Sequence, residues 1–142
     1  MKRVVIDTNV LVRAFLKKGG SDGLVYDQFL EGKVELYYGR ELVDEFMNVI
    51  SRPRLKVKYD IQNGDVELFW EDIFEFGKMI IPKKTEACRD ARDNHILGLA
   101  MKARGKGEEA YLITADEDLL VLKGKIKGIK IVTAKEFVRI SA

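Results

Sequence analysis

The apolar positions change period several times along the chain, and each change marks an element. Val4, Val5 and Ile6 form a continuous β-branched run, the pattern of a strand buried on both faces. Asp7-Thr8-Asn9 ends that run, and Val10, Leu11, Ala14 and Phe15 then recur at helical spacing until Lys17-Lys18-Gly19-Gly20 breaks them. Ser21 or Asp22 is the expected cap of a second helix that carries Val25, Phe29 and Leu30 and stops at Gly32. Residues 34–38 read as a second strand. Leu42, Val43, Phe46, Val49 and Ile50 make a compact stripe on a helix over about 40–50, ended by Pro53. Residues 52–64 alternate basic and apolar positions and fit either an extended arm or a short helix. Past Asn63-Gly64 comes an aromatic-rich helix with Val66, Leu68, Phe69, Ile73, Phe74 and Phe76, then a short strand over 79–81 stopped by Pro82. The stretch from Cys88 opens a helix running to about Ala103. Residues 111–114 form a strand that turns into a short helix at Asp116, residues 129–132 alternate like an edge strand, and Thr133 caps a final helix over 134–140.

Strands alternate with helices throughout, so the expected architecture is a three-layer α/β/α sandwich around a parallel sheet, in one domain over 1–142. Strands 4–6 and 111–113 are the most apolar and should lie centrally. Composition narrows this only slightly. With 46% hydrophobic and 34% charged residues, the chain is globular with a heavily charged skin. Cys88 is the lone cysteine, which excludes an internal disulfide and a cysteine-based zinc site. No run of 18 apolar residues exists and the start lacks a signal-peptide core, so no membrane partner and a cytoplasmic location are expected. A net charge of +2 is too small to imply a nucleic-acid partner by itself.

The candidate chemistry lies with four carboxylates. Asp7 stops a buried strand at the carboxyl edge of a parallel sheet, where open α/β sheets bind ligands; capping the following helix explains it equally well. Asp116 follows the 111–114 strand by two residues and reaches the same edge. Asp93 precedes Ile96, Leu97 and Ala100 by three, four and seven residues, which puts it on the apolar stripe of its helix. A carboxylate there is costly unless neutralised, capped or bound to a cation. Glu45 lies at the border of its stripe, while Asp44 and Glu41 point towards water; alone, Glu45 reads as solvated. The lone His95 points off the Asp93 face and is not expected to be a ligand. Four carboxylates converging on one cleft would repel one another without a counter-charge, and magnesium or manganese, with oxygen ligands, supplies one.

The residues Ile6-Asp7-Thr8-Asn9-Val10-Leu11 resemble the first-strand motif of the PIN-domain nucleases. Glu45 in Glu41-Leu-Val-Asp-Glu45 is similar to that family's second acidic position, Asp93-Asn-His-Ile-Leu-Gly-Leu-Ala100 to its third, and Leu112-Ile-Thr114-Ala-Asp116-Glu-Asp118 to its fourth. The similarity is greatest to the prokaryotic branch of toxins from toxin–antitoxin pairs, where Arg-Pro after the Glu helix is usual. The resemblance implies a five-stranded sheet of order 3-2-1-4-5 and metal-dependent endonuclease action on RNA. It further implies Asp7, Glu45, Asp93 and Asp116 as catalytic metal ligands, a small antitoxin as partner, and a homodimer. Asp118 is a fifth carboxylate, and Asn9 and Thr114 are groups that would orient the ligands or a water. An acidic cleft repels RNA, so basic flanks are needed; Arg40, Arg52, Arg54, Lys56 and Lys58 are the main candidates, with Lys17 and Lys18. Two rivals are a PIN-like module that binds RNA or protein without cutting, and a receiver-type phospho-regulator. The latter normally carries an extra acidic pair that this chain lacks. An Asp-x-Asp phosphatase is disfavoured by Asn9.

Overall fold

The computed structural model describes residues 1–141. Strands β1 (Lys2–Ile6), β2 (Val34–Tyr38), β3 (Lys78–Met79), β4 (Ala110–Ile113) and β5 (Ile129–Val132) form one sheet, all parallel, in the order β3-β2-β1-β4-β5. The helices are α1 (Thr8–Leu16), α2 (Ser21–Leu30), α3 (Arg40–Ile50), α4 (Pro53–Tyr59), α5 (Asn63–Phe76), α6 (Asn94–Ala103), α7 (Glu117–Leu120) and α8 (Ala134–Ile140), with a 3-10 turn over Ala91–Asp93. The two most apolar strands, β1 and β4, are neighbours inside the sheet, and β5 is the edge its alternation predicts. Parallel pairing forces right-handed crossovers, which place helices on both faces. On one side α1 packs with α2 and α3, and α2 with α8; α6 packs on β1, β4 and β2.

The burial that secures the central strands is complete: Val4, Val5, Leu112 and Ile113 are sealed from solvent, as are Leu42, Phe46, Leu97 and Leu99 on the covering helices. Phe15, Phe46, Phe69 and Trp70 interlock in edge-on and stacked pairs between α1, α3 and α5. Two glycines permit close approach beside the site. A Cβ at Gly39, where α3 begins, would come within 2.8 Å of Leu99 Cδ2, and one at Gly98 would collide with the Lys83 carbonyl. The Lys83 N–H donates to the Gly98 carbonyl at 3.0 Å, so the segment after β3 is pinned against α6.

Several boundaries differ from the sequence reading. Residues 53–59 are a short helix rather than an arm, with Pro53 at its first turn and Asp60 ending it in the left-handed region at φ 49°. The strand expected over 79–81 pairs only as Lys78–Met79, although the Ile80 N–H still donates to the Tyr38 carbonyl at 2.9 Å. Ser21 and Asp22, the expected caps, lie inside α2; Gly20 precedes it with no side chain to offer, and the Asp22 carboxylate pairs with Arg13 at 3.0 Å. The helix expected to open from the stretch at Cys88 begins only at Asn94, after the 3-10 turn, and the Asp93 side chain at its N-cap makes no capping bond.

Candidate active site

Strands β1 and β4 are adjacent, and the chain runs to one side of the sheet from β1 and to the other from β4. Their carboxyl ends flank the crevice where an open sheet splays. Asp7 and Asp116 stand there, each capping a helix. Asp7 Oδ1 accepts from the Thr8 N–H at 2.8 Å, and Asp116 Oδ1 accepts from the Asp118 N–H at 2.9 Å. Asp7 is also held by β4: the Thr114 hydroxyl donates to its Oδ2 at 2.7 Å, while the same hydroxyl oxygen accepts from the Asp116 N–H at 3.0 Å. Thr114, fully buried, therefore locks the two carboxylate-bearing turns together. Burial pushes the Asp7 carboxyl above its ordinary range. The Thr114 and Thr8 hydrogen bonds oppose this, and the charges of Asp116 and Glu45 add to it.

Glu45 joins from α3 and is better held than its position on the helix predicted. Thr8 Oγ1 donates to Oε2 at 2.9 Å and His95 Nε2 donates to Oε1 at 2.6 Å, so both carboxylate oxygens are engaged. Burial raises the Glu45 carboxyl, but the His95 bond and charge outweigh it, with Thr8 helping, and the net displacement is downward. His95 moves up: burial lowers it, and the bond to Glu45 with the charges of Glu45, Glu41 and Asp7 more than compensates. His95, expected to point off the Asp93 face, turns to Glu45 on α3 rather than into solvent. It lies at the first turn of α6, facing α3, with only 9% of its side chain exposed. Glu41, also read as solvated, is 3.3 Å from the same Nε2 and keeps 65% of its side chain in solvent.

Asp93 is the carboxylate with no structural employment. It precedes α6 but its side chain caps nothing; Asp90 caps the 3-10 turn instead, accepting from the Arg92 N–H at 3.0 Å. Asp93 Oδ2 is buried without any hydrogen-bond partner. Burial, then the charges of Asp116, Asp7 and Asp90, and a carboxyl-to-carboxyl hydrogen bond with Asp116 push this carboxyl up to about 7. The Asp93 and Asp116 carboxyls face each other, and oxygens of Asp90, Asp93 and Asp118 lie within 4.8 Å of one another. An orphaned buried oxygen, in a set of hard oxygen donors that repel one another, fits a divalent cation.

The remaining predicted residues divide. Asp118 is at this edge but its Oδ1 is already paired with Arg89, at 3.0 Å from Nε and 2.8 Å from Nη2. Asn9 is exposed on α1 and, among the described residues, makes no side-chain bond to any of the carboxylates. The residue before it, Thr8, takes that part because the helix turn aims it inward at α3. Arg40 begins α3 and is exposed at the carboxyl edge. Arg52, Arg54, Lys56 and Lys58 are not brought there. Arg52 lies seven residues beyond Glu45 at the other end of α3, about 10 Å along its axis. Tyr59 and Ile61, which follow, line a cavity with Leu16, Lys18 and Gly19 at the far end of α1, roughly 15 Å from Thr8. Lys17 and Lys18 share that far end. The sequence reading missed Thr8, His95, Arg89 and Asp90; the dense charge alternation Arg89-Asp90-Ala-Arg92-Asp93 was the available signal.

Comparison with known proteins agrees with this geometry. The chain is similar to an uncharacterized protein of Methanocaldococcus jannaschii, 29% identical over an alignment that takes in 96% of this chain and 89% of the relative. The PIN domain family model matches residues 3–118, a span that begins in β1, ends in α7, and contains Asp7, Glu45, Asp93, Asp116 and Asp118. The chain belongs to the PIN-domain family, a family of nuclease type.

Proposed function

We infer that this protein is a divalent-metal-dependent endoribonuclease, and the observation that carries the reading is the orphaned Asp93 oxygen at the carboxyl edge of the sheet. Asp7, Asp93, Asp116 and Glu45 would hold magnesium or manganese, with Asp118 available if its bond to Arg89 opens. When bound, such an ion supplies a nucleophilic water near neutral pH and screens charge on the leaving oxygen. The chain's own part is positioning. Thr114 fixes Asp7 and the Asp116 turn, and Thr8 with His95 fixes both oxygens of Glu45. Asp93, held up to about 7, would shed its proton as a cation arrives. A protein nucleophile has little support: the lone histidine is committed to Glu45, and burial pushes the Cys88 thiol up to about 11. The cations paired with the edge carboxylates, Arg89 with Asp118 and Arg92 with Asp90, are exposed, and Arg40 is exposed at the start of α3.

A toxin role opposed by a small antitoxin belongs to the same proposal, supported by the likeness of the Glu45 helix and its following Arg52-Pro53 to that branch. The test is purified protein on defined RNAs with magnesium, with manganese and with chelator. Cleavage that needs the ion and disappears in Asp93→Asn supports the reading; sustained cleavage in excess chelator overturns it.

A further inference from the structure

We propose that α4 is a second RNA-binding site, a backbone-holding exosite set apart from the carboxylate cleft. The inference rests on the nuclease reading above for its substrate class and goes beyond it in location and in what it demands of the substrate. Arg52, Arg54, Lys56 and Lys58 are all exposed within a segment of seven residues that contains no acid. Among the described residues none of the four forms an ion pair. The helix that carries them buries no residue at all, and Val57 is 83% exposed. A helix of this kind adds little to the core, yet together with its cap residue Arg52 it concentrates four cations without ion pairs. The Lys58 ammonium lies 5.3 Å from the Tyr59 ring centroid, so a flat aromatic surface sits beside the charges.

Phosphate diesters fit this surface better than carboxylate-bearing partners do. Acids are close at hand: Asp27, Asp65 and Asp72 line the neighbouring cavity with Tyr59, and still no pairing with α4 occurs. Cations aligned along one short element match a polyanion with evenly spaced charge, and the adjacent ring offers stacking to an unpaired base. The separation from the carboxylates has a consequence. RNA bound at both places must run about 10–15 Å along α3 and α1, so the exosite contributes only to substrates long enough to reach it. The protein would hold long single strands more tightly than short ones, while the chemistry at the carboxylates stays the same.

The test measures binding apart from cutting. Fluorescence anisotropy of a labelled long single-stranded RNA is followed in chelator across a salt series. The wild type is compared with Arg52→Gln/Arg54→Gln/Lys56→Gln/Lys58→Gln and with a control of equal charge loss, Lys106→Gln/Lys125→Gln/Lys127→Gln/Lys135→Gln. Because the four substituted side chains are exposed, the first variant is expected to keep its circular dichroism. Its slope of log affinity against log salt should fall by about three units, from four contacts at ~0.7 each, with at least about tenfold weaker binding at low salt. The control should move far less. A single variant, Lys56→Gln, should show about a quarter of the slope change and guards against misfolding of the multiple one. An unchanged slope in the α4 variant, or equal changes in variant and control, overturns the exosite. If the wild type fails to cut with magnesium, the nuclease reading falls, while the binding series in chelator still decides the exosite.

Discussion

At the carboxyl edge of the sheet, like charges are crowded and fixed: Asp7, Glu45 and Asp116 each accept hydrogen bonds from neighbouring groups, and Asp93 is pressed among them with one oxygen orphaned. On α4, some 10–15 Å away, like charges are crowded and free, each side chain in solvent with no ion-pair partner. Water relieves the repulsion on α4 by solvating each cation separately. At the edge it does so only in part, because burial raises Asp7 and Asp93 before any neighbour's charge is counted. Crowding that solvent cannot relieve requires a counter-ion or a proton, which is why the first region reads as a metal centre and the second as a binding surface.

The largest effect should come from removing a carboxylate that would hold the ion. Asp93→Asn and Asp116→Asn should each lower the cleavage rate by more than about 100-fold, since losing even an outer partner of a metal ligand costs 10–100-fold. Circular dichroism should be unchanged. Near-normal cleavage by either variant would mean that the edge is crowded for another reason. Next comes the residue that ties the edge together. Thr114→Val keeps the shape but strips Asp7 Oδ2 of its donor and the Asp116 N–H of its acceptor; it should cost roughly 1–3 kcal/mol of stability and 10–100-fold in rate. Chemical denaturation alongside the cleavage assay reads both.

Smaller consequences follow from His95 and from pH. His95→Leu leaves Glu45 Oε1 without a donor and should slow cleavage about tenfold, with His95→Gln restoring part of the loss; equal rates in the two variants would argue against the hydrogen bond. The pH effect concerns the metal-free protein. Asp93 holds its proton more tightly folded than unfolded, so its contribution is absent below the unfolded value near 4 and destabilises increasingly as pH rises to about 7. Asp93→Asn removes that penalty. In chelator at pH 8 its Tm should exceed the wild type's by about 2–4 °C, and the difference should vanish near pH 4. A lower Tm for the variant at both pH values would make Asp93 a structural carboxylate.

The element sequence was legible because buried parallel strands and amphipathic helices leave different periods, and β1 and β4 announced themselves by unbroken apolar runs, whereas the sheet order followed from the resemblance to the PIN-domain family. Asp7 shows where such reading stops. Cap and site residue were posed as alternatives, but Asp7 spends one oxygen on the Thr8 N–H and the other on Thr114, and still stands at the crevice. Glu45 and His95 were harder. Each looked peripheral on its own helix, since the bond between them joins α3 to α6 across 50 residues, and no local period records that contact. The α4 cations were visible as a pattern, but their distance from the edge depends on how α3 runs, which only the fold determines.

The central claim is that Asp93 is left orphaned for a cation. The most direct measurement is the titration of its side-chain carboxyl by carbon-13 NMR, first in chelator and then with saturating magnesium. A midpoint near 7 is expected in chelator, in keeping with its burial and its acidic neighbours, and a fall well below the ordinary carboxylate range with magnesium. A midpoint near 4 in chelator, or one near 7 that magnesium fails to move, would contradict it.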